Sequence, residues 1–131
     1  MNTGNLQLTS EGLRVLLETG FVLREASRFE DAEAVFIGCA ELMTDSEVPL
    51  VGLATVYLQK GDFQRAVDTC REALGKEDSS AYARLHLGEA LLFNNQLAEA
   101  RKELERVAAA DSNSTYAETA LRILRVAGIG E

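Results

Sequence analysis

One histidine, two cysteines and many carboxylates are the side chains of this sequence that could support catalysis or metal binding. His86 stands alone, which excludes a site with two histidine ligands, and Cys39 and Cys70 do not form a Cys-x-x-Cys pair. The glycines are scattered rather than grouped into a phosphate-binding loop. Residue types and spacing therefore predict no catalytic residue, no metal site and no cofactor, and we expect a protein that is not an enzyme.

The carboxylates are the remaining candidates for chemistry, because oxygen ligands suit divalent cations. Several of them fall on helices where the pattern places them on an outer, solvated face, which favours an ordinary charged surface over a cation site. The carboxylates expected to face water are Glu30, Asp31, Glu33, Glu99, Glu103 and Glu105.

The charge balance narrows the choice of partners. With 13 basic and 21 acidic residues the net charge is -8, which repels phosphate backbones and anionic lipid headgroups. The N-terminal residues lack the pattern of a secretory leader, and no apolar run has the length of a membrane span. We therefore expect a cytoplasmic protein that binds no nucleic acid and does not insert into membranes. Because free cysteines are usually buried and cytoplasmic thiols stay reduced, we expect both thiols to be reduced and buried in the core.

The elements that must position any site form an internal repeat. Residues 13–46, 47–80 and 81–114 align without a gap as three blocks of 34 residues. Small residues recur where helices must approach each other closely, and apolar residues recur at helical spacing on both sides of a central turn. Each block is predicted to be a pair of amphipathic helices. The eighth and twentieth places hold Gly20, Ala54 and Gly88, and Ala32, Ala66 and Ala100.

The turns and chain ends support the same division. Gly61-Asp62 and Asn94-Asn95 tolerate the backbone conformation that stops one helix before the next begins. Residues 115–127 predict one further helix, with Arg122 and Arg125 on its outer side, that caps the end of the stack. Residues 1–12 are polar and form an N-terminal extension, either frayed or an extra helix begun at Thr9 or Ser10. Residues 13–131 are expected to be one domain.

Two stretches of the blocks carry a family resemblance. The strings GDFQRAVDTCREAL and NQLAEARKELERVAAAD resemble second helices of tetratricopeptide repeats, and LVGLATVYLQK and ARLHLGEALLFN resemble the preceding first helices. Leu16, Leu50 and Arg84 stand where the family often has tryptophan, and Thr44, Asp78 and Ser112 stand where it often has proline. The resemblance implies an all-α, right-handed solenoid of three tetratricopeptide repeats with a C-terminal capping helix.

In this family the first helices line a concave groove that binds proteins. Repeats that bind the acidic tails of heat-shock chaperones carry a cluster of Lys, Arg and Asn, whereas Leu17, Phe21 and Val51 stand at such places here. The groove is therefore expected to be mostly apolar, and so is its ligand. Alternatively, these residues extend the core, or residues 1–12 or a second subunit fill the groove. The expected partner-binding residues are Leu17, Phe21, Val51, Leu58, Tyr82, Leu85, Leu92, Phe93, Tyr116 and Ile123.

The combination of small size, acidic charge and an apolar groove resembles the tetratricopeptide chaperones of bacterial type III secretion. That resemblance implies a client protein with an amphipathic or extended apolar segment, which is either a needle subunit or a translocator. A small helical co-chaperone and a homodimer are open options. The alternative is a generic repeat scaffold or adaptor in a multiprotein assembly, which the same fold permits.

Overall fold

The computed structural model describes residues 9–130, which form seven α-helices and contain no β-strand. Part of the predicted N-terminal extension, residues 1–8, lies outside the described residues. The all-helical prediction is confirmed. The helices are α1 (Ser10–Glu25), α2 (Phe29–Leu42), α3 (Val48–Lys60), α4 (Phe63–Lys76), α5 (Ala81–Phe93), α6 (Leu97–Ala110) and α7 (Thr115–Ala127).

Side-chain caps and left-handed residues set several helix ends. The hydroxyl of Thr9 accepts a hydrogen bond from the Gly12 amide at 3.0 Å, so α1 begins at Ser10, inside the segment predicted to be the extension. Ser80 and Ser114 cap α5 and α7 in the same way. Gly61 follows α3 with a φ of +86°, a conformation that glycine adopts without strain.

The helices stack as a solenoid. Each helix packs against its neighbours in chain order, and α1, α3, α5 and α7 also contact one another in series. The first helix of each pair therefore lies on one common surface, while α2, α4 and α6 lie on the other. Among the described residues, no helix has both the length and the apolar content that a bilayer crossing requires.

The repeated small residues allow the close helix contacts, as predicted. Ala32, Ala66 and Ala100 are all fully buried. A Cβ atom built on Gly20 would lie 2.7 Å from the Phe36 ring, and one built on Gly52 would lie 2.5 Å from it. Phe36 is thus held between α1 and α3, two helices that approach each other only because these positions lack a side chain.

Gly52→Ala should destabilise the fold, whereas Gly75→Ala should stabilise it. The ring of Phe36 is fully buried and cannot move away from the new methyl group, so overpacking should outweigh the gain in helix propensity and lower the free energy of unfolding by about 1–2 kcal/mol. Gly75 lies in α4 with nothing within 4 Å of a built Cβ, so alanine should add about 0.5–1 kcal/mol there. Urea unfolding of both variants checks this. If both substitutions change the free energy of unfolding in the same direction, the packing described here is contradicted.

Two of the carboxylates expected to face water do not. Glu103 pairs with Arg84 at 2.7 Å, with side chains 14% and 15% exposed, and Glu33 pairs with Lys60 at 2.6 Å. The prediction is wrong for these two because long basic side chains from α5 and α3 reach across to the neighbouring second helices and cover them. Among residues 9–130 no group of three or more His, Cys, Asp or Glu side chains is arranged to hold a metal ion.

The capping helix α7 has one buried and one exposed side. Ala117, Ala120 and Leu124 are buried against the preceding pair, while Arg122 and Arg125 face outward. α7 thus covers this end of the apolar core, and its exposed side carries apolar as well as charged residues.

Candidate partner-binding groove

The predicted groove residues differ widely in accessibility. Phe93 is 60% exposed and Tyr116 is 38% exposed, both on the surface formed by the first helices. Six others pack against the core with one side and leave the other open to solvent. These half-buried residues are Leu17, Phe21, Leu58, Tyr82, Leu92 and Ile123.

Val51 and Leu85 do not belong to the groove. Val51 is 0% exposed and packs with Leu50, Ala73 and Ala83, and Leu85 is 5% exposed in the cluster of α5, α6 and α7. Both stand at the fifth place of their repeats, where the side chain points toward the next repeat rather than into the concavity. The prediction is wrong for these two residues, which stabilise the stacking of consecutive repeats instead.

An open pocket of about 370 Å³ is lined by residues of α1, α3 and α5, and we call it the central pocket. Its lining mixes apolar side chains with charged and polar ones. The groove is therefore more polar at this point than its sequence suggested. The residues that line it are Arg24, Thr55, Leu58, Gln59, His86, Glu89 and Phe93.

Arg24 is the cation of the central pocket, and neighbouring groups hold its guanidinium in place. Its Nη1 donates to the Thr55 hydroxyl at 2.7 Å, and that hydroxyl donates to the Gly52 carbonyl at 2.6 Å. Its Nη2 pairs with Glu25 at 2.7 Å, and the guanidinium lies 5.2 Å from the centre of the Phe21 ring. The side chain is 18% exposed, and Nε is buried with no hydrogen-bond partner.

On the α5 side of the pocket, polar groups satisfy one another. His86 Nδ1 and Glu89 Oε1 are 2.5 Å apart, and both side chains are half-buried. The ring of Tyr82 packs edge-on against His86, and its centre lies 6.2 Å from that of Tyr116. Burial raises the pKa of Tyr82 to about 12, so the phenol keeps its proton at neutral pH.

A second pocket of about 370 Å³ lies between α5 and α7, and we call it the terminal pocket. It is predominantly apolar, and Glu89 and Phe93 also line the central pocket, so the two pockets are adjacent. Phe93 is braced by a stacked contact with Phe63, with ring centres 5.5 Å apart. The terminal pocket is lined by Glu89, Leu92, Phe93, Arg122, Ile123, Val126 and Ala127.

Val126 was missed although the sequence carries a signal for it. It is 82% exposed at the end of α7, three residues beyond Ile123. The stripe formed by Tyr116, Thr119 and Ile123 reaches Val126 when it is continued by one more helical step. Arg24 and His86 were also not among the expected partner-binding residues. Both nevertheless stand at places of the repeat from which a side chain can reach the concave surface.

The two thiols are free and buried, as predicted. Burial raises the pKa of Cys70 to about 12, with a smaller effect from the negative charge of Glu89, and burial also raises the pKa of Cys39. Because the thiolate is the reactive form, both should react with a disulfide reagent far more slowly in native buffer than in denaturant. Labelling at the rate of an exposed cysteine would contradict this arrangement.

Three stacked helix pairs, a closing helix and a groove along the first helices define a repeat protein of the kind that binds other proteins. The family model described as tetratricopeptide repeat matches residues 57–124. The chain belongs to the tetratricopeptide repeat family. No curated protein sequence gives a significant match.

Solved structures with the same fold include a secretion chaperone and a peptide-bound repeat domain. PcrH from Pseudomonas aeruginosa matches with a TM-score of 0.80 at 19% identity, over 97% of this chain and 99% of that one. The type III secretion translocator chaperone SycD from Yersinia enterocolitica gives a TM-score of 0.78 at 22% identity, over 95% and 93%. The second repeat domain of human RPAP3, in complex with an HSP70 peptide, gives 0.71 at 19% identity, over 87% and 98%. At these identities the likeness shows the fold.

Proposed function

We infer that this protein is a chaperone that holds an apolar segment of a secreted client in its concave groove, in the manner of the type III secretion chaperones. The observation that carries this function is the pair of adjacent pockets, which are built from all four first helices and share the exposed ring of Phe93. A concave, mainly apolar site with a few convergent polar groups is the usual form of a binding site. The likeness to SycD, a translocator chaperone, supports the choice of client.

Burial of apolar surface supplies the binding free energy. Phe93, Leu92, Ile123 and Val126 all border the terminal pocket, and Phe93 and Val126 are the most exposed of them. Each large apolar side chain moved out of water contributes about 1.5–3 kcal/mol, on this chain or on the client. A few such contacts offset the loss of translational and rotational freedom on association. The client segment therefore has to be amphipathic or extended and apolar.

The other features of the proposed function follow from the same groove. The protein acts in the cytoplasm, before export, and catalyses no reaction. Residues 13–131 act as one domain, with partner contacts at Leu58, Leu92, Phe93 and Ile123 and flanking contacts at Tyr82 and Tyr116. Leu17 and Phe21 contribute only their exposed sides. The client is a needle subunit or a translocator, and a small helical co-chaperone or a second copy of the chain can join the complex.

Affinity purification of the tagged chain from its native host, with secretion active and blocked, tests this function. We expect one small secreted protein to copurify, and we expect that protein to aggregate when expressed alone and to stay soluble when coexpressed with the chain. Sedimentation of the complex distinguishes a monomeric from a dimeric chaperone. Copurification of a stable, non-secreted assembly that folds without the chain would instead identify a scaffold or adaptor.

A further inference from the structure

Among residues 9–130, Arg24 Nε is the one buried side-chain nitrogen or oxygen that has no hydrogen-bond partner. A buried donor left unpaired is unfavourable, so an acceptor placed near this nitrogen would stabilise the site. His86 and Glu89, by contrast, already pair with each other on the α5 side of the pocket. The unfilled donor therefore belongs to a held, half-buried cation at the centre of the groove.

The geometry of the guanidinium indicates which acceptor fits. Nε and Nη2 lie on the same edge of the planar group and together can bind both oxygens of one carboxylate. Thr55 occupies Nη1, so on this edge Nη2 is held only by Glu25 and Nε by no group. Glu25 now contacts Nη2, but its side chain is 68% exposed. Glu25 is held largely in water and adds little stability, so an incoming carboxylate can displace it from Nη2, and a small rotation of the guanidinium then brings Nε to the same carboxylate.

We propose, building on the function proposed above, that Arg24 binds an aspartate or glutamate side chain of the client segment. Apolar residues of the same segment then fill the terminal pocket. Glu89 lines both pockets, so its charge opposes a carboxylate everywhere except in direct contact with Arg24. The groove thus selects a segment with one acidic residue at its α1 end and apolar residues toward α7.

The spacing within the segment follows from the helix packing. Axes of packed helices lie about 8–10 Å apart. Arg24 comes from α1, whereas the terminal pocket lies between α5 and α7 but shares Phe93 with the central pocket. The carboxylate and the first apolar anchor should therefore be separated by about 10–20 Å, which is about three to six residues of extended chain.

Selection from a phage-displayed library of random twelve-residue peptides tests this assignment on the full chain. The matched variants are Arg24→Gln and Arg101→Gln, because Arg101 is an arginine on the second helix α6, paired with Glu105 and outside both pockets. The unaltered chain and Arg101→Gln should enrich peptides with one Asp or Glu three to six residues from an apolar anchor. Arg24→Gln should retain the apolar preference and lose the acidic one.

A synthetic peptide with the enriched sequence, compared with its Asn or Gln counterpart, gives the quantitative test and needs no variant to fold. The amide peptide should bind the unaltered chain at least about tenfold more weakly. Enrichment of apolar peptides without an acid, or equal affinities of the two peptides, would overturn the role of Arg24 and leave groove binding intact. If no enriched peptide loses its binding when Phe93 is replaced by glutamate, groove binding itself is contradicted, and the role of Arg24 with it.

Discussion

Replacement of Phe36 by alanine is expected to lower the free energy of unfolding by about 3–5 kcal/mol, a large part of the stability of a domain of this size. The ring is fully buried, meets Phe21 edge-on with ring centres 4.9 Å apart, and fills the space left by Gly20 and Gly52. Alanine would leave a cavity between α1, α2 and α3 that the close helix contacts prevent from collapsing. Urea unfolding followed by circular dichroism measures the loss.

A matched substitution on the same helix separates this packing role from helix propensity. Ile37 follows Phe36 in α2 and is 44% exposed, so Ile37→Ala removes apolar atoms that are already partly in water. We expect its effect to stay within about 0.5 kcal/mol. Similar losses for the two variants would show that Phe36 does not join the first two repeats.

Replacement of Phe93 by glutamate should leave the fold nearly intact and weaken the client complex at least about tenfold, equivalent to ~1.4 kcal/mol. The ring is 60% exposed and stacks on Phe63, so its loss should cost about 1 kcal/mol of stability or less. In the complex the same ring lies between the two pockets, where a carboxylate would face the client and add to the charge of Glu89. Titration calorimetry with the copurified client measures the affinity.

Phe21→Glu should behave differently, although both aromatic residues were predicted to serve the groove. Phe21 packs edge-on against the buried ring of Phe36, so glutamate there removes this aromatic contact and destabilises the domain, even though the guanidinium of Arg24 is close enough to pair with the new carboxylate. Ile37→Glu is the surface control, because it places the same charge on an exposed apolar site of α2. We expect it to keep both stability and affinity. If Phe93→Glu unfolds the chain as readily as Phe21→Glu, Phe93 is a core residue and the terminal pocket is not a binding site.

The sequence was sufficient for the architecture because the repeat encodes it redundantly. The alanines at the twentieth places mark close helix contacts, Gly61 marks the end of α3 and Ser80 marks the start of α5, and these independent signals agree with one division into helix pairs. Helix α1 begins before the first repeat because Thr9 caps it. The sequence alone left open whether this segment is frayed or forms a helix that begins at Thr9 or Ser10.

The groove was only partly predictable, because a place in a repeat gives the direction of a Cβ atom and not the reach of a side chain. Val51 and Leu85 turn toward the next repeat and are buried by it. Arg24, in the last turn of α1, extends far enough to bind Thr55 on α3. It therefore places a positive charge at the centre of the groove. Such long-range contacts depend on the distance between stacked helices, which the sequence pattern does not contain.

Site-specific photocrosslinking in the native host tests the central claim most directly. A photoreactive phenylalanine analogue would replace Phe93 or Leu58 in the groove, or Ile37 on the opposite surface as the control. We expect both groove positions to crosslink to the same secreted protein through one continuous segment of it, and the control position to give no such product. Crosslinks to that protein from Ile37 but not from Phe93 or Leu58 would contradict the groove as the binding surface.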